Sequence, residues 1–165
     1  MAKSVDDITI DAIKQGGILC LLYFDIHGNE KDALQKILVG FVGKISKEHG
    51  VIYSYGEIDE PIEFDGMHSA SAEVKLLVKN YQSLQALCAR YGPVGLEILR
   101  PNEIKLTVGE AQSVLMDVAM LSQDFVKAMM EKTMTPEEKA HYEKKMTQRA
   151  ELGKKLLDRK DENKG

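Results

Sequence analysis

Residues 18–26 read ILCLLYFDI, an almost uninterrupted run of apolar and aromatic side chains. A short run that is apolar on both sides of the backbone is typical of a strand covered on both faces. It is too short to cross a bilayer as a helix. We therefore predict a central β-strand here.

A helix is predicted directly after this strand. Between residues 33 and 45 the apolar side chains recur at helical spacing, which indicates one buried face. Asn29 is predicted to cap this helix, and Gly50 is predicted to supply the left-handed residue that ends it. Because Gly40 and Gly43 weaken a helix, we expect a close neighbour to pack against them.

The next segments alternate between strand and helix. Residues 51–58 and 68–78 have the pattern of strands, and the second alternates apolar with polar side chains, as expected when one face is solvated. Residues 80–92 predict a helix with an Asn cap at the start and a Gly at the end. Residues 94–98 alternate again, and residues 104–108 are predicted to extend the sheet by a further strand.

The order strand, helix, strand, strand, helix, strand predicts an α+β fold, the ferredoxin-like βαββαβ sandwich. Right-handed crossovers would place both helices on one face. The other face is then either solvated or covered by the N-terminal helix, the C-terminal helices or a second subunit. Ser4 followed by Asp7 predicts a short N-terminal helix, with a strand at residues 8–10 as the alternative. These elements define a predicted core domain, residues 1–109.

The rest of the chain, residues 110–165, is predicted to be a helical extension. Apolar residues at helical spacing indicate one long helix over residues 110–134. Residues 135–138, Thr-Pro-Glu-Glu, combine an N-cap, a proline at the first helical position and a capping-box glutamate, so a second helix begins there. Residues 161–165 are expected to fray.

Charge separates the two regions. Residues 1–130 hold 12 Lys and Arg against 18 Asp and Glu, whereas residues 131–165 hold 10 against 8. An acidic domain has no general field for phosphate, which argues against nucleic acid as a partner. Cys20 and Cys88 lie on apolar faces and need no disulfide. With no signal-like or membrane-spanning segment, we predict a cytoplasmic protein without a membrane partner.

A family resemblance begins at residues 25–28, Asp-Ile-His-Gly, and continues through the long amphipathic helix into residues 49–52, His-Gly-Val-Ile. This pattern resembles the opening of the ACT-type ligand-binding domains, which share the ferredoxin-like topology. Those domains commonly pair edge to edge as dimers and bind amino acids or related small molecules near the first strand-to-helix turn. The resemblance therefore implies a homodimer and a ligand site at Asp25, His27, Gly28 and Asn29.

The residues alone offer two interpretations of that turn. Unpaired N–H groups at a helix start favour anions, which supports a small-ligand site. The alternative is an ordinary strand end with solvated polar groups. The acid-rich residues 57–65 are interpreted as a solvated hairpin loop, with use by a cation or a basic partner as the alternative.

A partner surface is predicted on the C-terminal helices, where six of the eight methionines lie. Flexible thioethers suit adaptable contact surfaces, although filling a helical core is the alternative. The adjacent Met129 and Met130 cannot both face one narrow stripe, so at least one of them is predicted to point toward a partner or the open sheet. The predicted partner-binding residues are Met116, Met120, Phe125, Met129, Met130 and Met134.

No motif assigns a catalytic residue, a metal or a cofactor. The four histidines lack the spacing of a zinc site, and the nucleotide-binding glycine patterns are missing. We therefore predict a non-enzymatic module that associates with itself or with a protein partner, with amino-acid-like sensing as the alternative. An enzyme would need a pocket in which Asp25, His27 or His68 meets another polar residue.

Overall fold

A computed structural model gives the architecture of residues 3–162, with side chains described through Lys155. The chain divides into two compact units, with the boundary between Leu115 and Met116. The predicted domain division, between residues 109 and 110, stays a prediction. In chain order the elements are α1 (Val5–Lys14), β1 (Ile18–Gly28), α2 (Lys31–Ile45), β2 (Val51–Ile58), β3 (Ile62–Phe64), β4 (Met67–Val78), α3 (Tyr81–Tyr91), β5 (Gly95–Arg100), α4 (Val108–Thr133) and α5 (Pro136–Glu162).

The first unit contains one antiparallel sheet, with strand order β2-β4-β1-β5 and β3 paired to the far end of β4. The strand predicted from residues 18–26 is central, because β1 pairs with β4 along its whole length and with β5 on its other edge. The units β1-α2-β2 and β4-α3-β5 are interleaved, as in the predicted sandwich. The predicted α+β class is confirmed.

The core lies between one face of this sheet and the helices α2 and α3. Successive side chains of a strand point to opposite faces, and the even-numbered residues of β1 and β4 are the ones that point to the helices. Phe24, Phe41 and Tyr91 add two edge-to-face aromatic contacts, with ring centroids 4.7 and 5.0 Å apart. The buried residues of this cluster are Ile18, Cys20, Leu22, Phe24, Leu34, Leu38, Ile45, Ala70, Ala72, Val74, Leu76, Val78, Leu84 and Leu87.

Gly56 of β2 lets α2 approach the sheet. A Cβ at this position would lie 2.3 Å from Val42 Cγ1, closer than any side chain tolerates without a shift. The two glycines inside α2 differ from this case, because a Cβ at Gly40 or Gly43 would meet nothing within 4 Å. The expectation that a close neighbour packs against those two glycines is therefore wrong.

The N-terminal helix α1 covers one end of the second sheet face. Ser4 and Asp7 form the predicted capping box, so the helix is confirmed and the alternative strand at residues 8–10 is wrong. Thr9 is buried, and its Oγ1 lies 2.8 Å from the Tyr53 hydroxyl of β2. Leu77, on the same sheet face, is fully buried. Beyond α1 this face carries exposed side chains, among them Asp25, His27, Glu57 and Glu73.

Helix α2 differs from its predicted boundaries at both ends. Its N-cap is Glu30, which makes no side-chain capping bond, so the prediction that Asn29 caps the helix is wrong. The helix ends at Ile45 rather than at Gly50. After Ile45 the amides of Lys47 and Glu48 donate to the carbonyls three residues earlier, which ends the α-helical pattern. Gly50 does have the predicted left-handed conformation, with φ +87°, at the entry to β2.

The caps of α3 are confirmed. The amide of Ser83 donates to Asn80 Oδ1 at 2.9 Å, and Gly92 ends the helix in the left-handed conformation with φ +56°. These bonds satisfy donors and acceptors that a helix end leaves free. They also fix where the chain leaves α3 to enter β5.

Two segments between regular elements differ from the sequence analysis. The predicted strand at residues 104–108 is wrong, because Thr107 and Glu110 form a capping box that starts α4 at Val108. The acid-rich segment is a hairpin as predicted, but it contains β3, and its tight turn uses Asp65 and Gly66 at positive φ. Both features come from short polar signals that hydrophobic periodicity does not detect.

The second unit contains most of α4 and all of α5. The amide of Glu138 donates to Thr135 Oγ1 at 3.4 Å and the amide of Thr135 donates to Glu138 Oε2 at 2.9 Å, so the predicted start of the last helix is confirmed. The predicted fraying covers residues 161–165. Helix α5 continues through Glu162, and residues 163–165 lie outside the described part of the chain. No helix within the described residues is long and apolar enough to cross a membrane.

Candidate functional site

The predicted ligand residues Asp25 and His27 lie together on the sheet face opposite α2 and α3. The hydroxyls of Ser69 and Ser71 donate to Asp25 Oδ1 at 2.9 and 3.4 Å. His27 Nε2 lies 3.4 Å from Asp25 Oδ2 on the other side of the carboxylate. The cluster occupies the sheet surface, and both Asp25 and His27 are exposed.

The other two predicted ligand residues do not join this cluster. Gly28 faces the helices, because a Cβ there would lie 3.1 Å from Leu34 Cδ2. Asn29 is exposed in the connection to α2. The start of α2 carries the acidic residues Glu30 and Asp32, which oppose an anion at this helix end. The four predicted residues are thus separated between two faces and a loop.

The structure also separates the groups that an enzyme at this end of the sheet would need. His68 pairs with Gly28 and shares its side of the sheet, so it faces away from Asp25 and His27. Its Nδ1 is buried and makes no hydrogen bond. In the part of the chain that the structure describes, no three His, Cys, Asp or Glu side chains converge as metal ligands.

A cleft of about 430 Å³ lies between the loop after α2 and helix α3, and no pattern in the sequence predicts it. Arg90 forms an ion pair with Glu48, and the Tyr91 hydroxyl donates to Glu48 Oε1 at 2.6 Å. The hydrogen bond from Tyr91, followed by that from Arg90, lowers the pKa of the Glu48 carboxyl. Since these three groups satisfy one another, we interpret the network as a brace that fixes the loop to α3.

Helix α4 exposes several large apolar side chains on one side. We call this surface the α4 stripe and define it by five residues of the second unit that share one side of the helix. Their exposed fractions lie between 40% and 66%, which is high for large apolar side chains. The five residues are Val118, Leu121, Phe125, Val126 and Met129.

The six predicted partner-binding residues divide between two sides of α4. Phe125 and Met129 belong to the α4 stripe, with exposed fractions of 66% and 52%. By helical periodicity the other four share a second side, where Met116 and Met120 are exposed and Met130 and Met134 are half-buried. Met129 and Met130 thus lie on different sides of the helix, and that one of them points toward a partner or the open sheet stays a prediction.

The side of α4 that carries Met130 faces α5 within the second unit. Residues of both helices line one shallow groove, with Gln123 and Lys127 on α4 and Tyr142 and Met146 on α5. Tyr142 and Met146 are half-buried, like Met130. The two helices therefore pair through this side, which leaves the α4 stripe without a partner inside the second unit.

A second exposed surface lies on the sheet beyond α1. We call it the acidic sheet face, and it carries aromatic and acidic side chains in adjacent positions of four strands. Glu57 of β2 is directly opposite Glu73 of β4, which is in turn opposite Tyr23 of β1. The surface is formed by Tyr23, Tyr55, Glu57, Glu73, Lys75 and Glu97.

The family comparison gives a match over most of the chain. A model of the MJ0538 family matches residues 19–152. The chain belongs to the MJ0538 family. The ACT-type resemblance, by contrast, finds no support in this match and stays a prediction.

This member of the MJ0538 family is similar to the uncharacterized protein MJ0538 of Methanocaldococcus jannaschii. The two are 24% identical over 105 residues, which cover 62% of this chain and 39% of the relative. The chain thus spans about two-fifths of the length of this curated relative. No solved structure matches the chain. The MJ0538 family match runs from β1 into α5, so it includes both the α4 stripe and the acidic sheet face.

Proposed function

We propose that this MJ0538-family protein is a non-enzymatic interaction module that associates with itself through the α4 stripe. The observation that carries this proposal is the exposure of five large apolar side chains on one side of a single helix. Ordinary monomers expose such residues singly, and a continuous patch with a polar rim marks an interaction site. The occupant we propose is the α4 stripe of a second copy.

The size of the patch supports a second copy as its occupant. From their exposed fractions, the five side chains present on the order of 500 Å² of apolar surface. The largest apolar patch on a typical monomer covers about 300–600 Å², so this patch lies in the upper half of that range. Two such patches together bury on the order of 1,000 Å², the area that a specific interface must reach. Because the same surface lies on both copies, the pairing is closed and self-complementary.

Sedimentation velocity at micromolar concentration tests this pairing. The wild-type chain should sediment with twice the mass of a single 18.4 kDa chain. The variant L121D/F125D places two charges in the interface and should sediment as a monomer, because a buried unpaired charge is costly. The matched control, Ser113→Asp, adds a charge on the opposite side of α4 and should remain dimeric.

Two outcomes would overturn the proposal. A wild-type chain that stays monomeric at concentrations of tens of micromolar would exclude stable pairing. A dimer that persists in L121D/F125D would show that another surface holds the copies together. Far-UV circular dichroism checks that each variant is folded. Folding of L121D/F125D is expected, because both substituted residues are more than half exposed.

Amino-acid-like sensing at residues 25–29 is the less favoured function, because Gly28 faces away from Asp25 and His27. A thermal-shift screen with amino acids tests it, since ligand at about a hundred times its Kd adds about 2.7 kcal/mol of stability. A cytoplasmic location is also part of the proposal. It is supported by Cys20 and Cys88, which are free thiols and fit a reducing compartment.

A further inference from the structure

Two copies of α4 that pair through the α4 stripe can lie parallel or antiparallel, so the direction of pairing rests on the proposed function. Both arrangements bury the five stripe residues, and in both Phe125 can lie opposite Phe125 of the second copy. Apolar burial is therefore similar in the two cases. The direction depends on which charged side chains the two copies bring together, since specificity is a difference between two free energies.

Lys132 lies on the same side of α4 as the stripe. It follows Phe125 by seven positions and Met129 by three, and these spacings place side chains on one side of a helix. Lys132 is exposed, and among the described residues it forms no ion pair. Its ammonium group is therefore accessible to a second copy.

Asp117 lies at the edge of the stripe, toward the other end of the helix. It precedes Leu121 by four positions, and it is exposed. With about 100° between successive residues, Asp117 lies about 100° from the middle of the stripe, against about 40° for Lys132. The other charged residues of α4 after residue 116 point farther away, at about 120°, 140° and 180°. They are Asp124, Glu131 and Lys127.

An antiparallel pair centred on Phe125 brings opposite charges together at both ends. Val118 then lies opposite Lys132 of the second copy, because the two residues are equally far from Phe125 along the helix. The stem of Lys132 covers Val118 of the second copy, and its ammonium group reaches Asp117 beside it. By two-fold symmetry this contact occurs twice.

A parallel pair brings like charges together instead. Each stripe residue lies opposite the same residue of the second copy, so Lys132 meets Lys132. The two helix dipoles also lie side by side with their equal ends together. In the antiparallel pair the nearest like charges are the two Asp124 carboxylates, which point away from the contact. We propose that α4 pairs antiparallel with α4 of a second copy, with Lys132 of each copy bound to Asp117 of the other.

Disulfide trapping in full-length chains distinguishes the two directions. All chains carry Cys88→Ala, and Cys20 is buried and unreactive. Val118→Cys and Lys132→Cys are made in separate chains, one of which carries a mass tag. In an antiparallel pair the two different cysteines lie opposite each other, whereas identical cysteines lie about 21 Å apart along the helix. A disulfide needs a Cα separation of about 4–7 Å.

The mixture of the two chains should form the mixed disulfide on mild oxidation. Each chain oxidised alone should form at least about fivefold less disulfide. Parallel pairing predicts the reverse, with a disulfide in each chain alone. That result would overturn the proposal, and so would equal yields from all samples or no disulfide in chains that sediment as dimers.

Charge reversal gives a second measurement that leaves the apolar stripe intact. Lys132→Glu should raise the dimer Kd about fivefold, because it places two carboxylates together at both ends of an antiparallel pair. Adding Asp117→Lys to the same chain should return the Kd to within about twofold of the wild type, since both contacts form again with their charges exchanged. A parallel pair predicts no such recovery, which would refute the proposed direction.

The control Lys36→Glu makes the same change in net charge at an exposed residue of α2 and should leave the dimer Kd within about twofold. A control as weak as Lys132→Glu would contradict the specific contact. Far-UV circular dichroism checks folding, which is expected because every substituted residue of α4 is exposed. A monomeric wild-type chain overturns the proposed function itself, whereas a wild-type dimer with parallel disulfides overturns the direction alone.

Discussion

Replacement of Gly50 by alanine is the most specific test of how the first unit is packed. Gly50 has φ +87°, and an ideal Cβ there would lie 2.1 Å from Ser83 Oγ and 2.7 Å from Ser83 Cβ. The Ser83 hydroxyl has little freedom to move, because it donates to Asn80 Oδ1 at 2.8 Å in the cap of α3. The substitution therefore strains the backbone of the loop and displaces the first turn of the helix.

The expected loss of stability has two parts. A left-handed conformation costs a residue with a Cβ about 1–2 kcal/mol. Overpacking against Ser83 adds about 1–3 kcal/mol. Gly50→Ala should therefore lower the free energy of unfolding by about 2–5 kcal/mol, out of the roughly 5–15 kcal/mol that stabilises an ordinary domain.

Gly92→Ala is the matched control. Gly92 also has a positive φ, +56°, but a Cβ there would meet nothing within 4 Å. The control should lose only the conformational part, about 1–2 kcal/mol. The difference between the two variants thus measures the contact with Ser83.

Urea unfolding followed by the near-UV circular dichroism of tyrosine gives both free energies. Five of the six tyrosines lie before residue 92, so the signal reports mainly on the first unit. If the two variants lose the same free energy, the loop does not approach α3 as described, and the packing around Gly50 is wrong.

Four further results follow from local contacts and from burial. Thr135→Ala should reduce far-UV helicity and cost about 0.5–2 kcal/mol through loss of the cap of α5; an unchanged helix start contradicts this. The hydrogen bonds from Thr135 lower the pKa of the Glu138 carboxyl. The stabilisation from this cap should therefore be complete at pH values above the ordinary Glu pKa of about 4.3, and it should be lost as the pH falls through the lowered pKa of Glu138. If the wild-type chain and Thr135→Ala lost helicity over the same pH range in an acid titration, this expectation would be disproved. Glu73→Gln should stabilise the sheet by about 0.2–1 kcal/mol in urea unfolding by removing the repulsion from Glu57, and a loss of stability would refute it. Burial raises the pKa of the Cys20 thiol to about 12, so a thiol reagent at pH 8 should modify it only after unfolding.

The sequence predicted the framework of the fold because strong local signals agreed with the packing. The apolar run at residues 18–26 is the central strand, and Asn80 and Gly92 bound α3 as their side-chain chemistry requires. Predictions failed where two signals competed. At residues 104–108 the alternating apolar residues indicated a strand, but the capping box of Thr107 and Glu110 started a helix there.

The candidate site was predicted less well, because residue spacing gives the face of a side chain but not its partner. Asp25 and His27 do share a face, as their spacing indicates. Gly28 was assigned to the same site on the assumption that the strand had already ended. The strand continues through Gly28, so the alternation of side chains places it on the opposite face.

The α4 stripe and the acidic sheet face could be recognised only from the tertiary structure. The opposition of Glu57 and Glu73 depends on the register between β2 and β4, which the sequence does not specify. The division of the methionines depends on which side of α4 meets α5. Met130 is half-buried whereas Met129 is 52% exposed, although periodicity alone could not tell which of them faced the neighbouring helix.

The central claim is that the α4 stripe of one copy meets that of another. A single spin label at Asp124→Cys, in a chain with Cys88→Ala, tests it by pulsed dipolar spectroscopy, since Cys20 is buried and unreactive. Each chain carries one label, so any defined distance must join two copies. Packed helices predict a distance on the order of 20–40 Å that disappears in L121D/F125D, whereas an unmodulated background signal from the wild-type stripe would contradict the claim.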